Sequence, residues 1–167
     1  VTGNRVEESN GFSRYGLAGI ILRDEAAALL RGNRLHGTGS SGHGILACGR
    51  ARPVLQGNRL WGHECAAVLL RDEVEGVIEG NRVESGAAPA ILACSRARAQ
   101  VVDNDLQGPS GTLIVQLEQA VCVLRSNCGG RAVLTAGRLS EDSLAGTQAT
   151  DRAAGGEALK RRRTLES

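Results

Sequence analysis

Six asparagines set the frame of this chain: Asn4, Asn33, Asn58, Asn81, Asn104 and Asn127, most of them inside a Gly-Asn-Arg triplet. The successive gaps are 29, 25, 23, 23 and 23 residues, so a loose repeat settles into a strict one. Self-similarity at a period of roughly 20 to 50 residues marks a stacked architecture, in which each unit buries its apolar face against the units above and below it.

Counting from each asparagine as zero reveals the contents of a unit. Three residues before it stand Leu30, Leu55, Ile78, Val101 and Leu124, and five before it Ala28, Pro53, Gly76, Ala99 and Cys122. Two after it come Val6, Leu35, Leu60, Val83 and Leu106. Thirteen before it are Ile20, Ile45, Val68, Ile91 and Ile114; eleven before it are Leu22, Ala47, Leu70 and Ala93, until Gln116 breaks the series. The spacing inside each pair is two, the strand period, and no stretch carries a helical stripe of useful length. Each unit is therefore predicted to hold about three short strands separated by turns, coiling so that each turn climbs one strand spacing of about 4.8 Å.

Within such a coil the asparagine has a physical task. Its amide is both donor and acceptor, so Asn33, Asn58, Asn81, Asn104 and Asn127 can hydrogen-bond into a structural ladder along the axis. Asparagine also tolerates the left-handed backbone of a sharp corner, and the glycines at 3, 32, 57 and 80 relax it further.

The unit Gly44-Ile45 through Val54-Leu55-Gln56-Gly57-Asn58-Arg59-Leu60 resembles the parallel β-helix repeat family, with its "GI … I-x-x-N-x-I" pattern, and the likeness runs from about Val1 to Gly129. The resemblance implies a pectate-lyase-like right-handed parallel β-helix. That family spans polysaccharide-processing enzymes, bacterial surface proteins and the β-helix region of F-box-type adaptors, and the last of these is the nearest in character. It implies a protein-binding part of a ubiquitin ligase adaptor, although no F-box lies in these residues.

Composition narrows the choices. A formal charge of +2 gives no strong field, so neither nucleic acid nor an anionic membrane is an expected partner, and no run of 18 apolar residues suggests a span. The odd count of five cysteines favours a reducing compartment, hence a cytoplasmic or nuclear location. Cys48 and Cys94 fall two coils apart, too far for a disulfide, and Cys122 occupies an inward, core position. The lack of methionine and the start within a unit imply a piece of a longer chain whose stack continues upstream of Val1.

The outward positions carry a second, longer period. Eight residues before each asparagine come Glu25, Arg50, Glu73, Arg96 and Gln119, and six before it Ala27, Arg52, Glu75 and Arg98. Stacked neighbours of alternating sign attract, so these are expected to form charge ladders that hold the coils together. Arg5, Arg34, Arg59 and Arg82 instead form a same-sign column. Like charges in register repel, which makes Arg34, Arg59 and Arg82 the candidate binding residues for an acidic protein partner.

Catalytic residues are not expected. Gly42-His43-Gly44 is similar to the histidine motif of polygalacturonases, but the carboxylate and basic elements that accompany it in that family are missing. A lyase would need a calcium-binding acidic cluster and a proton acceptor. His36, His43 and His63 lie in the loops after successive asparagine corners and could in principle share a metal, yet no zinc spacing links them, and neither a metal nor a cofactor is expected.

The sequence thus predicts an all-β, right-handed parallel β-helix of about five to six coils over residues 1–139, followed by a cap and a disordered tail over 140–167. The tail holds the basic run Lys160-Arg161-Arg162-Arg163, a candidate localisation or phosphorylation signal. The predicted role is a non-enzymatic interaction scaffold. A polysaccharide-binding or polysaccharide-processing β-helix is the alternative, and a structural repeat in a large assembly is a third reading.

Overall fold

The computed structural model describes residues 5–7, 18–37, 42–109, 112–129 and 131–134; the cap and tail predicted from residue 140 onward lie outside them. Numbered in chain order, the strands fall into three parallel sheets. The first holds β1 (Arg5–Glu7), β4 (Arg34–His36), β7 (Arg59–Trp61), β10 (Arg82–Glu84) and β13 (Asp105–Gln107). The second holds β3 (Ala27–Arg31), β6 (Arg52–Gln56), β9 (Glu75–Glu79), β12 (Arg98–Val102) and β15 (Val121–Arg125). The third holds β2 (Ala18–Leu22), β5 (His43–Ala47), β8 (Val68–Leu70), β11 (Ile91–Ala93), β14 (Thr112–Gln116) and β16 (Arg131–Leu134). Each strand pairs only with its equivalents one coil away, which makes the chain a β-solenoid with no helix among the described residues.

The registers reproduce the columns read from the asparagine spacing. Leu30 pairs with Leu55, Leu55 with Ile78 and Ile78 with Val101; Ile45 pairs with Val68 and Val68 with Ile91. These side chains, with Leu35, Leu60, Val83 and Leu106 from the first sheet, form one continuous buried core along the axis. Burying each Leu, Ile or Val contributes about 1.5–3 kcal/mol, so the core, more than the surface charges, holds the stack. A further inward column, seven residues before each asparagine, was not among the sequence expectations: Ala51, Val74, Ala97 and Ala120 are all fully buried at the bend between the third and second sheets.

The corners differ from expectation in one respect. The left-handed residue is not the asparagine but the one before it: φ is +63° at Gly32, +61° at Gly57 and Gly80, +53° at Asp103 and +50° at Ser126. A Cβ built on Gly57 or Gly80 would meet nothing within 4 Å, so the constraint there is the backbone conformation, and Asp103 and Ser126 can stand in at a cost of about 1–2 kcal/mol. A second left-handed corner recurs nine residues before each asparagine, at Asp24, Gly49, Asp72, Ser95 and Glu118.

The asparagine ladder forms as the spacing predicts. The Nδ2 groups of Asn33, Asn58, Asn81 and Asn104 each donate to the Oδ1 of the next asparagine at 2.9 Å. The same Oδ1 also accepts the preceding asparagine's backbone N–H at 2.9–3.0 Å. The second amide proton reaches back into the core bend: Asn58 donates to the Leu30 carbonyl, Asn81 to Leu55, Asn104 to Ile78 and Asn127 to Val101. Gln116, the residue that breaks the apolar series, ends β14 and is fully buried beside β15, the last described strand of the second sheet. Val121 N–H faces back to Ala97, so the neighbouring Cys122 N–H faces the side of β15 away from β12, where Gln116 Oε1 accepts it at 3.0 Å.

Replacing Asn81 with Leu takes the acceptor from the Asn58 backbone N–H and from one of its Nδ2 protons, and the donor from the Leu55 carbonyl, in a dry interior. The variant should lose roughly 2–4 kcal/mol in urea denaturation. An Arg50→Ala variant, which removes only an exposed ion pair, should lose less than about 1 kcal/mol. Equal losses would remove the ladder from its place in the fold.

Candidate interaction face

In the first sheet the inward residue is the second after each asparagine, so the first and third point outward. This gives two outward columns: Arg34, Arg59, Arg82, Asp105, and His36, Trp61, Glu84, Gln107. The three candidate arginines are thus brought together on one face, in register, as adjacent rungs. All three are exposed.

Their repulsion is partly offset by a residue that the sequence reading passed over. Glu84 Oε1 accepts from Arg59 at 3.1 Å and from Arg82 at 3.2 Å, so one carboxylate serves two guanidinium groups. Arg82 also lies 3.7 Å from Asp105. Arg34 makes no ion pair with a described acidic residue.

Beside the arginines lies an aromatic patch. The His36 and Trp61 rings stack with centroids 5.1 Å apart and planes 16° from parallel, and the Arg59 guanidinium carbon stands 5.2 Å from the Trp61 ring centroid. Stacking over an indole face adds roughly 0.5–1 kcal/mol at an exposed site and holds the Arg59 side chain in place. The spacing of three residues after each asparagine places Trp61, His36 and Glu84 in one column, and that signal was available in the sequence.

The three histidines are close together but do not form a metal site. His36 is committed to Trp61, and the His43 Nδ1 lies 3.2 Å from the Ala66 carbonyl. His63 is buried, its ring donating to the Leu35 carbonyl while Nε2 has no partner. The ring fits because Gly37 and Gly44 lack side chains: a Cβ on either would stand 2.4 Å from Nδ1 or 2.8 Å from Nε2. Among the described residues no group of three or more His, Cys, Asp and Glu is arranged to hold a metal ion.

The charge ladders of the neighbouring face also take shape. Arg50 pairs with Glu25, Arg96 with Glu73, and Arg52 with Glu75 at 4.0 Å, all well exposed. The five cysteines are free thiols, and Cys122, inside the core, has its ionisation pushed up to about 12 by desolvation. Burial also raises Cys94, whose thiol donates to the Leu70 carbonyl at 3.7 Å, as Cys48 does to Leu22.

Parallel strands in three stacked sheets, a continuous core and a ladder of buried amides at one corner meet the description of a family whose model, "Right handed beta helix region", matches residues 1–129. The chain belongs to the right-handed β-helix family. Neither a curated protein nor a solved structure matches it. Handedness follows from the membership, and the stack runs past the matched region, since β16 still pairs in parallel with β14. In this β-helix the candidate face is one flat side of the coil, and the loops that follow it connect the first sheet to the third. No helix of the described residues is long and apolar enough to cross a membrane.

His63 makes the β-helix sensitive to acid. Desolvation, followed by the nearby positive fields of His36 and His43, lowers its pKa to about 4, against about 6.5 in an unfolded chain. The neutral form is the folded form, so the stability it carries is complete above about pH 6.5 and is lost as pH falls toward 4. His43, lowered by burial, acts in the same sense. Thermal or urea unfolding should show a loss on the order of 2 kcal/mol across that window, reduced in His63→Leu. Identical pH profiles for the two proteins would contradict this.

Proposed function

We propose that this β-helix is a non-enzymatic interaction scaffold whose first-sheet face binds an acidic segment of another protein. The supporting observation is the in-register column Arg34, Arg59, Arg82 beside an aromatic patch, in which one carboxylate, Glu84, bridges two of the three guanidinium groups and Arg34 pairs with no described acidic residue. Charge of one sign kept in register works against the stack, and an acidic partner relieves that repulsion. A rigid face needs no ordering on binding, so little of the contact energy is spent on entropy. The adaptor role implied by the likeness to F-box-type proteins, including action within a reducing cytoplasm or nucleus, is the fuller form of this reading.

A polysaccharide reading is supported by Trp61, since an indole is a natural platform for a sugar ring. It is the weaker of the two, because the ring is already stacked with His36 and flanked by Arg59.

The test compares proteins captured from a cell extract by the wild-type chain and by an Arg34→Ser, Arg59→Ser, Arg82→Ser variant. A partner with an acidic segment should be held by the first and lost by the second. Its affinity for the wild type should fall by tenfold or more as salt rises from about 50 to 500 mM. Capture that is equal for both proteins would remove the arginine column from recognition.

A further inference from the structure

We infer that the charged face of the second sheet docks a second copy of this chain across a two-fold axis. Along the stack this face reads as four rows of alternating sign: Glu25, then Arg50 with Arg52, then Glu73 with Glu75, then Arg96 with Arg98. An even number of alternating rows becomes its own complement when rotated by 180°. Reversed, the second row meets the third and the first meets the fourth, so every arginine row of one copy lies over a glutamate row of the other. With an odd number of rows the same rotation would set like charge on like.

The axis that achieves this passes between Arg52 and Glu75, which brings Arg52 of each copy to Glu75 of the other. Such a contact is isologous and closes as a dimer, without open-ended growth. The charged side chains line one shallow depression, and beside it the outward column Leu29, Val54, Val77 runs in register, with Leu29 46% exposed. This column supplies an apolar strip against which the opposing arginine stems can lie. Within one chain the alternating rows are already paired, so docking extends three isolated exposed pairs into a network shared by two chains, where charges contribute more than they do singly.

Four rows span only about 14 Å of the axis, well short of the roughly 800 Å² a side of a standard interface. The dimer is therefore weak and salt-sensitive. It leaves the arginine column of the first sheet exposed, since that column belongs to a different side of the coil.

Sedimentation velocity on the full chain, from about 10 to 500 µM at low salt, should show a concentration-dependent dimer that dissociates when salt is raised. Arg52→Glu and Glu75→Arg should each weaken it by at least tenfold, because each sets like charges together on the axis. An equimolar mixture of the two variants should dimerise again, since the glutamate introduced in one chain then meets the arginine introduced in the other. The double variant Arg52→Glu/Glu75→Arg keeps the pair within each chain and should dimerise like the wild type, which separates docking from folding. A chain that stays monomeric over the whole range overturns the inference, even if the same face binds some other protein. So does a mixture that remains monomeric.

Discussion

At Asn33, Asn58, Asn81 and Asn104 the coil turns a sharp corner at which the backbone N–H of the asparagine points along the stack into a dry interior. A buried amide proton without an acceptor costs about 1–3 kcal/mol, so the corner cannot form unless something supplies an oxygen. The side chain of the next asparagine does so, accepting both the backbone and the side-chain N–H of its predecessor. Each residue thus satisfies the coil before it and depends on the coil after it. The bonds all run in one direction inside a low-dielectric core, where such chains polarise and reinforce one another. The three sheets, the apolar columns and the placement of the outward side chains all inherit their register from this line of amides.

Much of this arrangement was legible in the sequence, because a parallel stack converts spacing along the chain directly into contact in space. Residues at the same offset from their asparagines became neighbours at Leu30, Leu55 and Ile78, at Arg34, Arg59 and Arg82, and at Arg52 and Glu75. The reading failed where periodicity carries no information. Which residue of the Gly-Asn pair adopts the left-handed backbone depends on the hydrogen bonds at the corner, since an asparagine whose amide must align with its neighbours is held in the ladder and the residue before it takes the strain. The burial of His63 depends on the close approach of Gly37 and Gly44 to its ring, a contact between side chain and backbone that column spacing does not report. Glu84 was visible in its column, but its reach to two arginines at once depends on side-chain length and angle, which spacing does not report.

The outward faces divide the electrostatics between them. On the second sheet, alternating rows cancel locally and leave little net field, whereas on the first sheet an arginine column leans on one glutamate and on an indole. The third sheet faces outward with aliphatic residues in register, Leu46, Leu69 and Leu92, the first buried and the other two half-buried. Three sides built on one backbone geometry therefore have three chemistries. A single core sequence can carry this because inward and outward residues alternate along every strand and are chosen independently of each other.

The coil between Asn33 and Asn58 is two residues longer than those that follow, yet the hydrogen bond from Asn33 Nδ2 to Asn58 Oδ1 has the same 2.9 Å length as its 23-residue counterparts. The extra residues fall between the corner and Ile45, in the connection that leads from the first sheet to the third. The stack therefore measures out its coils from the corner backwards and leaves that one connection unmeasured. Insertions there cost little more than loop-closure entropy, which grows slowly with length, whereas an insertion of a single residue anywhere between Ile45 and Asn58 would turn inward side chains outward along the rest of the strand. The molecule has one edge along which its sequence is free to grow.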